Sequence, residues 1–291
     1  MTRKLAGHAA GTAAWATNVG NEMGQVLISV LTASEGSGLS DMATGLVRRY
    51  EKAGVDPPVV LYVDRDCCSS ATKRLFQSWC NLQIRLDVWH FMRRLGSCCT
   101  TESHPLYVVF MSRLSACIFE WDRDDVALLR QAKAGVLAKM DVTGMTDDYL
   151  NHQLTNKELS LHCRRRTRGV HATIRMIGNL IACLDSDEGR DTLGVPLFDH
   201  DRIRCMWQQQ QKHVACIQDP PGISLYTRTG FIHKGGVELP TFRCARGSTS
   251  LESFHNHLVK FIPGILLFFP LADCKLHKFL RNALCRLQTL Y

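Results

Sequence analysis

Val59-Val60-Leu61-Tyr62-Val63-Asp64-Arg65-Asp66 is an apolar, largely β-branched run that ends on two carboxylates. Unbroken apolarity behind Pro57-Pro58 reads as a strand buried on both faces, because a half-exposed strand would alternate with polar residues. Working outward, Gln25 to Thr32 has the same character, and Leu82 to Leu86 reads as a shorter third strand. Between the first two, Ser40 precedes a helical stretch to about Ala53 with Met42, Leu46, Val47 and Tyr50 on one face. A further helix from Ser69 to Trp79 puts Ala71, Leu75 and Trp79 on one side. Strands alternating with helices predict an α/β fold whose sheet has parallel members.

The middle of the chain changes period. From about His104 to Gln218 the pattern is helical and strand signals are scarce, with one stripe at Val126, Leu129, Ala132 and Val136 and another at Ile174, Ile177, Leu180 and Ile181. A basic run, Arg164-Arg165-Arg166-Thr167-Arg168, lies between these helices and suits either a solvated helix end or a phosphate-contacting patch. Gly230 to Phe242 resembles a hairpin turning at Gly235-Gly236, and a helix starting near Thr249 carries Glu252, Phe254, His255 and Leu258. Ile262 to Ala272 is apolar but holds Pro263 and Pro270 and is too short to span a bilayer. Lys275 to Tyr291 reads as a basic amphipathic helix that packs on the domain, with membrane-surface binding as the alternative.

Bulk properties narrow the classes. A chain of 291 residues with 45% hydrophobic and 21% charged content has the composition of a folded protein rather than a disordered one. The net charge of +8 suits an anionic partner such as DNA. Thirteen cysteines, an odd number with neighbours such as Cys67-Cys68 and Cys98-Cys99, do not resemble a secreted disulfide framework. The N-terminus lacks the apolar run of a signal peptide, so a reduced, intracellular setting is expected. No Cys-x-x-Cys pair exists, and Cys98, Cys99 and His104 fit no standard structural zinc spacing.

Three carboxylates carry the candidate chemistry. Asp64 follows a strand, where ligands gather outside the carboxyl ends of open α/β sheets. Asp87 repeats that position after Ile84-Arg85-Leu86, and Glu252 sits on the later helix in Thr249-Ser250-Leu251-Glu252. Each also has a plain structural reading: Asp64 or Asp66 as a helix cap, Asp87 as another, and Glu252 as the last member of a capping box. Taken together, strand-end carboxylates and a helix-borne glutamate describe a site for two-metal phosphoryl transfer, which needs hard oxygen ligands around Mg²⁺ or Mn²⁺.

Val60-Leu61-Tyr62-Val63-Asp64-Arg65-Asp66, then Leu86-Asp87-Val88-Trp89-His90-Phe91-Met92-Arg93-Arg94, and Arg246-Gly247-Ser248-Thr249-Ser250-Leu251-Glu252-Ser253-Phe254-His255, resemble the core of eukaryotic cut-and-paste transposases of the Mutator-like and related groups. They also resemble transposon-derived proteins that recur in fish and other animal genomes. The resemblance, over roughly residues 10 to 264, implies an RNase H-like mixed sheet flanked by helices and interrupted by a large all-α insertion. The expected organisation is residues 1–100 as the N-terminal part of the core with an incomplete first strand, and 101–220 as the helical insertion. Residues 221–264 would complete the core, and 265–291 would form a basic tail. The resemblance makes Asp64 the second acid, Glu252 the third, and Asp87 with His90 the Asp-x-x-His pair. Asp64 and Glu252 would be the metal ligands, Arg164, Arg165, Arg166 and Arg168 would face DNA, and the setting would be nuclear. No Asp or Glu precedes Glu22, so the first acid is missing and strand cleavage is expected to be weak or absent. Two alternatives remain open: a domesticated scaffold that binds other proteins, and an active metal-dependent nuclease or transposase using Asp64, Asp87 and Glu252.

Overall fold

The computed structural model describes residues 2–4, 15–32, 38–248 and 251–255. The fold is mixed α/β, and the chain divides into two compact units: the described residues up to His90 with those from Arg246 onward, and Phe91–Ala245.

The first unit opens with an antiparallel sheet in the order β1 (Thr2–Lys4), β2 (Trp15–Gly20), β3 (Val26–Thr32). The β2–β3 turn is built by Asn21, whose Oδ1 accepts the backbone N–H groups of Met23 (3.1 Å) and Gln25 (2.9 Å) in an Asx-type turn. Helix α1 (Leu39–Ala53) follows, ending at Gly54 in the left-handed conformation that favours glycine. Its apolar stripe buries Met42, Ala43 and Leu46. Strand β4 (Val60–Val63), helix α2 (Ser70–Leu75) and strand β5 (Gln83–Leu86) form a βαβ unit, with β4 and β5 parallel and Val63 opposite Leu86. Ala43, Leu46, Phe76 and Trp79 make one core against Val19, Leu27 and Ile28 of the antiparallel sheet and Leu61 of β4, so both small sheets share it. Among the described residues these remain separate three- and two-stranded ladders.

Helix α2 stops at Leu75, short of the expected Trp79. Phe76 leaves the helical conformation, and its ring stacks on Trp79 at 5.0 Å and 15°. A tight turn, with the Trp79 N–H on the Phe76 carbonyl, holds both buried rings together.

Helix α3 (Val88–Gly96) runs through the unit boundary. The second unit contains α4 (Tyr107–Ile118), α5 (Arg123–Ala138), α6 (Asp147–Gln153), α7 (Asn156–His162), α8 (Val170–Leu184) and α9 (His200–Gln210). The expected stripes are realised in α5 and α8, where Leu129, Ala132, Ile177 and Ile181 are buried. Two short strands were not expected here: β6 (Phe119–Trp121) and β7 (Arg165–Thr167) pair antiparallel. The hairpin β8 (Tyr226–Lys234) and β9 (Val237–Cys244) turns at Gly235-Gly236, both at positive φ, and belongs to this unit. Leu239 of β9 packs with Leu129, Ala132 and Cys163, and the hairpin tip lies so close to α5 that a Cβ on Gly135 would sit 2.0 Å from the Gly235 carbonyl oxygen.

A three-way ion pair fastens the same face. Glu158 on α7 meets Lys133 of α5 at 3.1 Å and Lys234 of β8 at 2.7 Å. Glu158 also completes a capping box with Thr155. Burial alone would raise this carboxyl, but the lysine and threonine hydrogen bonds outweigh it and bring it from 4.5 to about 2.

No helix among the described residues is long and apolar enough to cross a membrane. The expected helix over 275–291, the apolar stretch 262–272, Leu258 and the Thr249 cap lie outside the described residues.

Candidate functional site

Parallel pairing of β4 and β5 brings two of the three candidate acids side by side. Val63 and Leu86 are paired partners, and the Asp87 N–H donates to the Val63 carbonyl at 2.8 Å. Asp64 and Asp87 therefore leave adjacent strand ends, whose backbones run about 5 Å apart. Asp64 is half-buried. It does not cap α2. That role falls to Ser69, whose side chain accepts the Ala71 N–H at 3.1 Å.

Asp87 is a cap, and more than a cap. Its Oδ1 accepts the backbone N–H of His90 at 3.0 Å, closing the first turn of α3, and faces the His90 Nδ1 at the same distance. Its Oδ2 accepts the backbone N–H of Ser248 at 2.8 Å, across 161 positions of sequence. The residue is only 3% exposed. Burial pushes the carboxyl upward, but hydrogen bonds from the His90 side chain, its backbone and Ser248 outweigh that and hold it below the usual carboxylate range. Gly247 makes the approach possible. It has a φ of 82°, and a Cβ there would fall 2.5 Å from Asp87 Oδ2.

The Ser248 turn leads into helix 251–255, which brings Glu252 to His90. Leu251 and His255 lie four positions apart on one face and are buried, Leu251 against Gly20 of β2 and His255 against the Asn18 side chain. Glu252, one position on from Leu251, has its Oε1 3.5 Å from His90 Nε2. His90 thus stands between two carboxylates, Asp87 on Nδ1 and Glu252 on Nε2. The Trp89 indole lies edge-on to the imidazole at 4.9 Å. His255 as an internal lock was not assigned from sequence. Its i,i+4 spacing from Leu251 is the signal that could have found it.

As a donor set, Asp64 and Glu252 offer the hard carboxylate oxygens that Mg²⁺ or Mn²⁺ prefers. The Glu252 side chain is 27% exposed. Asp87 fits poorly as a ligand, because both its oxygens already accept hydrogen bonds and a shift toward a metal would break the cap and the Ser248 contact.

The basic run is tied up within the second unit. Arg164 holds the buried Asp125 through two side-chain bonds of 2.8 and 2.9 Å. Arg166 and Arg168 share Glu120, at 2.7 and 3.0 Å. Arg165 lies over the Phe119 ring at 4.1 Å from its centroid. Arg166 and Arg168 thus meet Glu120 of β6 across the β6–β7 ladder, while Arg164, just before β7, meets Asp125 of α5.

Cys98, Cys99 and His104 do not assemble a metal centre. Burial pushes the Cys98 thiol up and that of Cys99 to about 12, so both stay protonated. Both His104 ring nitrogens are used, Nδ1 by the Leu106 N–H and Nε2 by the Val195 carbonyl. The eleven cysteines among the described residues form no disulfide.

Comparison with protein-family models, curated proteins and solved structures returned no match.

Proposed function

We propose that this chain is a transposase-derived RNase H-like domain that contributes two acids, Asp64 and Glu252, to a divalent-metal site for phosphoryl transfer on nucleic acid. Asp87 and His90 stand beside those acids as its Asp-x-x-His pair. The resemblance calls for three acidic ligands; Asp64 and Glu252 are two of them, and two alone would hold the ions poorly and support only slight strand cleavage.

The observation that carries this reading is the capture of the Arg246–Glu252 segment by the end of β5. Residues separated by 161 positions converge where a parallel βαβ unit exposes its strand ends, and they bring a second carboxylate to that place. The antiparallel strands, the helix and the parallel pair that follow one another in the first unit are compatible with an RNase H-like order. A nucleic-acid partner is supported by the overall charge of +8 more than by the arginine run, whose members are engaged internally.

Two assays on the full chain test the proposal. Anisotropy of a labelled DNA duplex should show binding whose affinity falls steeply with salt, and plasmid nicking in Mn²⁺ should be at trace level. Failure of a folded chain to bind either duplex or divalent ion would contradict it. Robust nicking abolished by Asp87→Asn would replace it with the active-nuclease reading.

A further inference from the structure

Resting on that assignment of Glu252, we infer that Asp87 and His90 are positioning residues, forming a latch that captures the Arg246–Ser248 turn and aims the Glu252 carboxylate. Three observations meet on it. Asp87 spends one oxygen on the Ser248 N–H and the other on His90, so a single buried side chain ties the incoming segment to the strand end and orients the imidazole. Gly247 admits the carboxylate where any Cβ would collide with it. His90 then faces Glu252 with its remaining nitrogen, while Leu251 and His255 pin the inner face of the same helix. Glu252 is thereby restrained from two sides, by packing beneath it and by an imidazole beside it.

The arrangement follows the logic of metal sites in which a ligand's hydrogen-bond partner sets its direction, and loss of such a partner weakens metal binding by about 10- to 100-fold. His90→Gln should therefore weaken Mn²⁺ binding, read by calorimetry on the full chain, by about that factor, with the thermal midpoint held. In a Glu252→Gln background the same substitution should add no further loss, a non-additivity that general destabilisation would not produce. Asp87→Asn should give the same loss and also speed hydrogen exchange at the Ser248 amide. If that variant fails to fold, His90→Gln carries the test.

A second readout needs no metal. The carboxyl ¹³C shift of Glu252 in the metal-free chain should move on His90→Gln. An unmoved shift overturns the inference, as does additivity of the His90 and Glu252 effects. A wild-type chain that binds no Mn²⁺ while the Glu252 shift still responds to His90→Gln contradicts the metal reading and upholds the latch.

Discussion

Replacing Glu158 by glutamine isolates one charge in the second unit. Gln keeps the side-chain length and can still accept from Thr155, so the change removes the charge that Lys234, Thr155 and Lys133 favour. A carboxyl brought from 4.5 to about 2 is worth about 3 kcal/mol at roughly 1.4 kcal/mol per pKa unit. Lys234 is 35% exposed, and solvent screening of that arm reduces the figure to about 2 kcal/mol. Because the folded-state value is depressed, the contribution is fully present above the unfolded value near 4.5 and is lost as pH falls toward 2. Urea unfolding followed by circular dichroism should place Glu158→Gln about 2 kcal/mol below wild type at pH 7. That gap should shrink by about half by pH 3. A gap that stays constant from pH 7 to pH 3, or that is absent at pH 7, would refute the reasoning.

Other perturbations have distinct signatures. Gly247→Ala combines a positive φ with a collision at Asp87, so it should cost about 1 to 3 kcal/mol in denaturant unfolding. Gly135→Ala should reverse the usual sign: alanine favours a helix by up to about 1 kcal/mol, but here its Cβ meets the Gly235 carbonyl, and urea midpoints should fall. Arg164→Ala strands the buried Asp125 and should cost about 2 kcal/mol, whereas Arg166→Ala, on a largely exposed pair, should stay within about 0.5 kcal/mol. Thiol titration at pH 8 should label the exposed Cys80, Cys183 and Cys205 and leave Cys99 and Cys163, both pushed up to about 12, unmodified until unfolding.

The elements written in local patterns were readable from sequence. Val60–Val63 is continuous apolar chain after a proline pair, and Gly235-Gly236 supplies the two positive φ angles that a tight hairpin turn requires. What escaped is made by distant partners. A three-residue ladder such as β6–β7 is too short to show a period, and its partners are distant in sequence: Arg166 and Arg168 meet Glu120 across it, 46 and 48 positions away. The shortening of α2 depends on Phe76 and Trp79 stacking in a core shared with β2, β3 and α1.

The candidate site divides in the same way. Asp64, Asp87 and Glu252 were visible as strand-end or helix-borne carboxylates, His90 entered through the resemblance, and the cap reading of Asp87 was visible too. Nothing local distinguished a carboxylate that binds metal from one whose oxygens are consumed by a backbone N–H 161 residues away. Gly247 was part of a quoted motif, but its purpose emerges only with Asp87 in place. In the arginine run, Arg164, Arg166 and Arg168 also meet carboxylates of their own unit, contacts that no local pattern announced.

The most direct test of the central claim is calorimetric titration of Mn²⁺ into the full chain, beside Asp64→Asn and Glu252→Gln. Binding by wild type that is lost in both variants is the predicted result, since it requires the two acids to act at one ion. No heat of binding in a folded wild type, or binding that survives both substitutions, would contradict it.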